Sequence, residues 1–168
     1  ERIVPTEHDM LFRRQLVHGH VHDPGAAMLG GICGHAGLFS NANDLAKMMQ
    51  MYLNYGSYGG DRFIDSATIA SYTRCADCGN GNRRGLGFDR PITDEDGEGP
   101  ACDQASEISF GHSGFTGTIA WMDPRYDLLY IFLSNRIHPN QYNTRLIEMD
   151  VRTRIQEMLY RSVLDPGH

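Results

Sequence analysis

The chain has 168 residues, 15 of them basic and 21 acidic, for a formal charge of −6. That length suits one domain or a large piece of one, and 40% hydrophobic with 21% charged residues excludes wholesale disorder. An acidic balance with no Lys/Arg-rich run excludes a general nucleic-acid binder, and no apolar stretch approaches the roughly 20 residues of a membrane span.

The first forty residues are rich in Gly and His and poor in periodicity, which predicts loops around short elements. Between Asn43 and Tyr55, the residues Leu45, Met48, Met49, Tyr52 and Leu53 recur at helical steps. A helix is expected there, capped by Asn41 or Asn43 and followed by Gly56. A shorter helix is expected over Ser66 to Tyr72, then a loop from Arg74 to Arg84 and a short strand from Gly85 to Asp89. Thr93 to Glu107 carries six acids and no base, the composition of a solvated, mobile loop.

Three strands follow, over Ile108 to His112, Thr116 to Met122 and Asp127 to Ser134. Asp123-Pro124-Arg125-Tyr126 supplies the turn between the last two. Leu128 to Leu133 is apolar on both faces, so that strand should be covered on both sides. Ile147, Val151, Ile155, Met158, Leu159 and Val163 trace an amphipathic stripe from Asn143 to Leu164, and Pro166-Gly167 stops it. The layout is α+β, an antiparallel sheet with flanking helices, in a single partial domain over 1–168. Residues 1–84 form its helix-and-loop part and 85–168 its strands and closing helix.

Chemistry has three candidate seats. Gly111-His112-Ser113-Gly114-Phe115-Thr116-Gly117 places an imidazole and glycine-freed N–H groups on a strand, which suits a developing oxyanion. His18, His20 and His22 alternate, so on an extended segment three imidazoles would share a face and could meet a metal; exposed or hydrogen-bonded histidines are the plainer reading. The third seat, a nucleophile, is missing: none of the nine serines has a lysine three residues on, and there is no Gly-x-Ser-x-Gly elbow. Tyr52-Leu-Asn54 matches a Tyr-x-Asn string but falls within the expected helix with Tyr52 on its apolar face. Cys75-Ala-Asp-Cys78 has the spacing of a zinc or redox knuckle without a second knuckle, and free thiols or one disulfide also fit; Cys33 and Cys102 stand alone.

The runs Val17 to Pro24, Ala27 to Ser40 and Asp44-Leu-Ala46 resemble the serine β-lactamase-related family, which includes penicillin-binding-protein-like peptidases and esterases. So do Gly85 to Phe88, Gly111 to Gly117, Trp121 to Pro124 and Phe132 to Arg136, in family order. The resemblance is greatest to the branch that in Bacteroidetes is often fused behind a glycoside hydrolase family 3 domain. It implies an antiparallel sheet flanked by helices, with the active site between sheet and helical subdomain.

The family's chemistry rests on Ser-x-x-Lys, Tyr-x-Asn and a Lys/His-x-Gly strand. Only the third carries over, onto His112, Ser113 and Gly114, with the Phe115 N–H as half an oxyanion hole. The resemblance further implies loop-ordering hydrogen bonds for His22, Asp23 and His35, no cofactor or metal, and a periplasmic or secreted location. Because the chain opens at Glu1 with neither initiator Met nor signal peptide, the first two motifs are expected upstream, in a missing N-terminal half of the fold. The substrate in the intact protein would be a small molecule or peptide. The strand edge left bare would permit a homo-oligomer. The rival readings are a non-catalytic ligand-binding module and a metal-binding domain.

Overall fold

The computed structural model describes residues 3–92 and 99–164, and it begins with a hairpin that periodicity did not reveal. Strands β1 (Pro5–Asp9) and β2 (Gln15–His18) pair antiparallel. Their turn is set by one side chain: the Asp9 carboxylate accepts from the N–H groups of Leu11, Phe12 and Arg13, each at 2.9 Å. Helix α1 (Pro24–Met28) starts on a proline, with the Asp23 carboxylate accepting from the Ala26 N–H at 2.7 Å.

The expected helix is α2 (Ala42–Leu53), capped by the Asn41 side chain. A two-residue hairpin, β3 (Ser57–Tyr58) with β4 (Asp61–Arg62), leads to α3 (Ser66–Thr73), capped by Asp65. The 74–84 loop contains a Cys75–Cys78 disulfide.

The sheet is the expected antiparallel meander: β5 (Phe110–Ser113), β6 (Ile119–Asp123) and β7 (Leu128–Phe132), in that order. Strand alternation sends β6 side chains to two cores. On one side Phe110 and Met122 pack with Leu53, Met49 and Tyr52 of α2, joined by Phe88 and Leu129. On the other, Ile119, Trp121 and Tyr130 pack with Ala101, Phe132 and Ile155. Ile155 belongs to the last helix, α5 (Val151–Leu164), which follows the short α4 (Arg145–Glu148). Strand β7 therefore has a helix on each face, as its apolar run predicts. Only Tyr130 is fully buried there, because β7 is an edge strand with no outer partner among the described residues.

Four expectations are corrected. Gly85 to Asp89 is not a strand; Gly87 at φ +88° turns the chain, and only Asp89 bridges to Gly111. Of the acidic loop, 93–98 lies outside the described residues, while Ala101, Cys102 and Ser106 are buried rather than solvated. The Cys102 N–H donates to Gln156 Oε1 at 3.0 Å, and burial pushes the Cys102 thiol up to about 11. The C-terminal helix is broken at Asp150, with φ +48°. Its buried face runs through Gln156 and Tyr160, leaving Met158, Leu159 and Val163 exposed, because polar anchors rather than the apolar stripe fix its rotation. The stop at Pro166-Gly167 lies outside the described residues. No helix among those described is long and apolar enough to cross a membrane.

Candidate active site

The His112-to-Phe115 segment leaves the end of β5 and turns toward β6. His112 pairs with Ala120, and its side chain is exposed. Its Nδ1–H donates to the Ser113 carbonyl at 2.8 Å, which leaves Nε2 pointing away from the backbone as an acceptor in the neutral ring.

The turn beyond it, 114–118, has every carbonyl occupied. Gly114 O accepts from the Gly117 N–H at 3.0 Å and from Arg152 Nη1 at 3.3 Å. Phe115 O accepts from Arg136 Nε at 2.7 Å, and Thr116 O from the Arg136 N–H at 2.9 Å. Gly117 O accepts from Ser134 Oγ at 2.8 Å, while Thr118 O takes the Gly114 N–H at 2.8 Å and Arg152 Nη1 at 3.2 Å. The Phe115 N–H has no acceptor among the described residues. A turn whose carbonyls all point into the protein presents its remaining N–H groups outward, the arrangement an anion needs.

The glycines here serve packing as much as access. A Cβ on Gly111 would lie 2.3 Å from Ala120 O and 2.6 Å from the Trp121 ring, so β5 can approach β6 only without a side chain at that position. Gly117, at φ +110°, would bring a Cβ within 2.4 Å of Ser134 Oγ.

Phe115 is 61% exposed, yet its ring is held in place. The His22 ring stacks on it at 5.3 Å with 7° between planes, and Arg136 Cζ lies 4.3 Å from its centroid. His22 Nδ1–H in turn donates to Glu7 at 2.7 Å, and Arg13 spans Glu7 and Asp9, both at 2.9 Å. Burial opposes ionisation of Asp9, but the Arg13 guanidinium and the three turn N–H groups outweigh it and hold the carboxyl well below its usual range.

The run Ser134-Asn135-Arg136 joins these parts. Ser134 and Arg136 hold the 114–118 turn, while Asn135 Nδ2 donates to Pro5 O at 2.7 Å and Thr6 O at 3.0 Å. The hydrogen bonds expected of the other two polar loop residues are present: His35 Nε2–H donates to Asp23 at 3.1 Å, and Asp23 caps α1.

The three alternating histidines do not converge. Gly19, at φ +72°, breaks the extended backbone their alternation requires, His18 turns to the Ile3 carbonyl and His22 to Glu7. Among the described residues no three His, Cys, Asp or Glu side chains are placed to hold a metal ion. Tyr52 packs against the Phe88 ring at 5.3 Å, as core rather than as a general base. A groove of about 420 Å³ lies elsewhere, between His8, Met10 and Leu11 and the 139–142 segment.

Sequence reasoning missed the two arginines. Arg136 lies two residues past the expected strand, and Arg152 falls within the expected C-terminal helix; neither carries a local signal that it folds back onto the turn.

The family model described as Beta-lactamase matches residues 5–151. Proteins named "Putative D-alanyl-D-alanine carboxypeptidase" from Salmonella gallinarum and Salmonella typhi are each 35% identical over 136 residues, which is 80% of this chain. The chain spans only 31% of the length of those relatives. A solved structure titled "putative beta-lactamase" from Bacteroides dorei aligns with 78% of this chain and 49% of its own, at 16% identity and a TM-score of 0.41.

Proposed function

Because the chain belongs to the Beta-lactamase family of serine hydrolases, we propose that it forms the sheet wall of an acyl-transfer active site that cleaves amide or ester bonds. The observation that carries this reading is the outward Phe115 N–H in a turn whose carbonyls are all engaged inward. A donor fixed in that way needs no reorganisation when negative charge develops on a tetrahedral intermediate, the condition for oxyanion stabilisation. His112 Nε2 stands on the adjoining strand end as a hydrogen-bonding or positive group for the substrate.

The nucleophile and its general base come from protein outside these 168 residues, since no serine here has a lysine partner at the required spacing. The names of the Salmonella relatives favour a peptide ending in D-alanyl-D-alanine as the substrate class. Such a substrate would be met in the periplasm or outside the cell, which supports an exported protein.

The test compares this chain with the gene product extended upstream, using nitrocefin, p-nitrophenyl esters and a D-alanyl-D-alanine peptide. The 168 residues alone are expected to give no burst, no turnover and no covalent adduct by intact mass. The extended protein is expected to turn over, and His112→Ala to lower its kcat/KM more than about tenfold, or ~1.4 kcal/mol, with little change in thermal stability. An acylated serine in the short chain, or full activity of His112→Ala, overturns the proposal.

A further inference from the structure

The first residues of α5 bear on the same turn through Arg152. Arg152 is half-buried, and among the described residues no carboxylate lies within ion-pair distance of its guanidinium. A charge withdrawn from water without a counter-ion is costly unless something else takes its hydrogen bonds. Here the same nitrogen, Nη1, donates to Gly114 O at 3.3 Å and Thr118 O at 3.2 Å, the two ends of the turn. The backbone beneath it is anchored as well, with Tyr130 Oη donating to Arg152 O at 2.8 Å. Desolvation accordingly moves the guanidinium pKa below its usual value, without bringing deprotonation within reach.

The peptide unit between Gly114 and Phe115 is planar and trans, so its C=O and N–H point in opposite directions. Whatever holds Gly114 O therefore aims the Phe115 N–H. The Gly117 N–H holds that carbonyl from within the turn, but among the described residues only Arg152 brings a positive charge to it. Donation into a carbonyl also polarises the whole amide and strengthens the N–H at its other end.

We propose that Arg152 is a positioning residue for the oxyanion-binding N–H of Phe115, acting through the Gly114–Phe115 peptide and touching no substrate itself. This rests on the oxyanion reading above, and the test separates the two.

In the 168-residue chain, the Phe115 amide 15N resonance reports what its own peptide carbonyl accepts. It is expected to move in Arg152→Met, and less in Arg152→Lys, by more than any amide of the β1–β2 hairpin. In the extended hydrolase, Arg152→Met is expected to lower kcat about tenfold or more with KM within about twofold, a loss confined to the transition state. Arg152→Lys should recover part of it, and so should added guanidinium in the Met variant. Should Arg152→Met fail to fold, Arg152→Lys carries both measurements. An unmoved Phe115 resonance, or an unchanged kcat beside an impaired His112→Ala, removes the role of Arg152 and leaves the active-site reading standing. An unimpaired His112→Ala removes that reading itself.

Discussion

Tyr160 donates its phenolic proton to Asp123 Oδ2 at 2.8 Å, joining the last helix to the end of the central strand inside the core. Asp123 is completely buried, with no cation in ion-pair distance among the described residues; its other partners are Ser106 N–H at 2.8 Å, Ser106 Oγ at 2.5 Å and the Arg125 N–H at 3.0 Å. Burial, and then the Asp123 carboxylate, push the Tyr160 phenol far above its ordinary range. Tyr160→Phe keeps the ring but strips one donor from a buried carboxylate, so it should cost about 1–3 kcal/mol in urea unfolding. A loss under about 0.5 kcal/mol would mean that this contact does not fix the rotation of α5.

The Asp9 turn predicts a pH dependence. The carboxyl is lowered in the folded chain, so its contribution is complete above the unfolded-chain value of about 3.9. It declines as the pH falls below that value, and is gone once the pH passes the still lower folded one. Asp9→Asn should therefore be less stable than wild type at pH 7, and the gap should narrow steadily on acidification below pH ~4. A gap independent of pH in thermal melts would assign the effect to packing instead.

Gly111 and Gly79 make a matched pair. A methyl on Gly111 meets the Ala120 carbonyl at 2.3 Å, whereas one on Gly79 meets nothing within 4 Å. Gly111→Ala should cost at least about 3 kcal/mol, the upper end of overpacking, because the obstacle is backbone and cannot turn aside. Gly79→Ala should stay within about 0.5 kcal/mol. Equal effects in chemical denaturation would show that β5 has room to move off β6.

The outer edge of β7 has no partner strand among the described residues, and Leu128 to Leu133 carries no charge to block pairing. Exposed Met158, Leu159 and Val163 on α5 add further apolar surface. The isolated chain should appear as a dimer or larger species by light scattering, and Ile131→Lys on β7 should shift it toward monomer. A dilute, clean monomer without the substitution would show that this edge is protected.

Much of the architecture follows from local pattern. The α2 face, its Asn41 cap, α3 and the three-strand meander are legible because each depends on side-chain period and turn chemistry within a dozen residues. The Gly-His-Ser-Gly run likewise owes its expectation of chemistry to local spacing alone. What local pattern does not contain is any pairing settled by a partner far along the chain. The β1–β2 turn hangs on one carboxylate, and α5 buries Gln156 and Tyr160 because Cys102 and Asp123 wait for them. Gly85 to Asp89 has a strand's composition but turns at Gly87. The same holds for the candidate site: His112 and Phe115 are read from their neighbours, whereas the Gly114 carbonyl behind the Phe115 N–H is held by Arg152 from 38 residues away, and the next carbonyl, that of Phe115, by Arg136 from 21. Hydrogen bonds at such separations leave no periodicity, so only the folded chain discloses them.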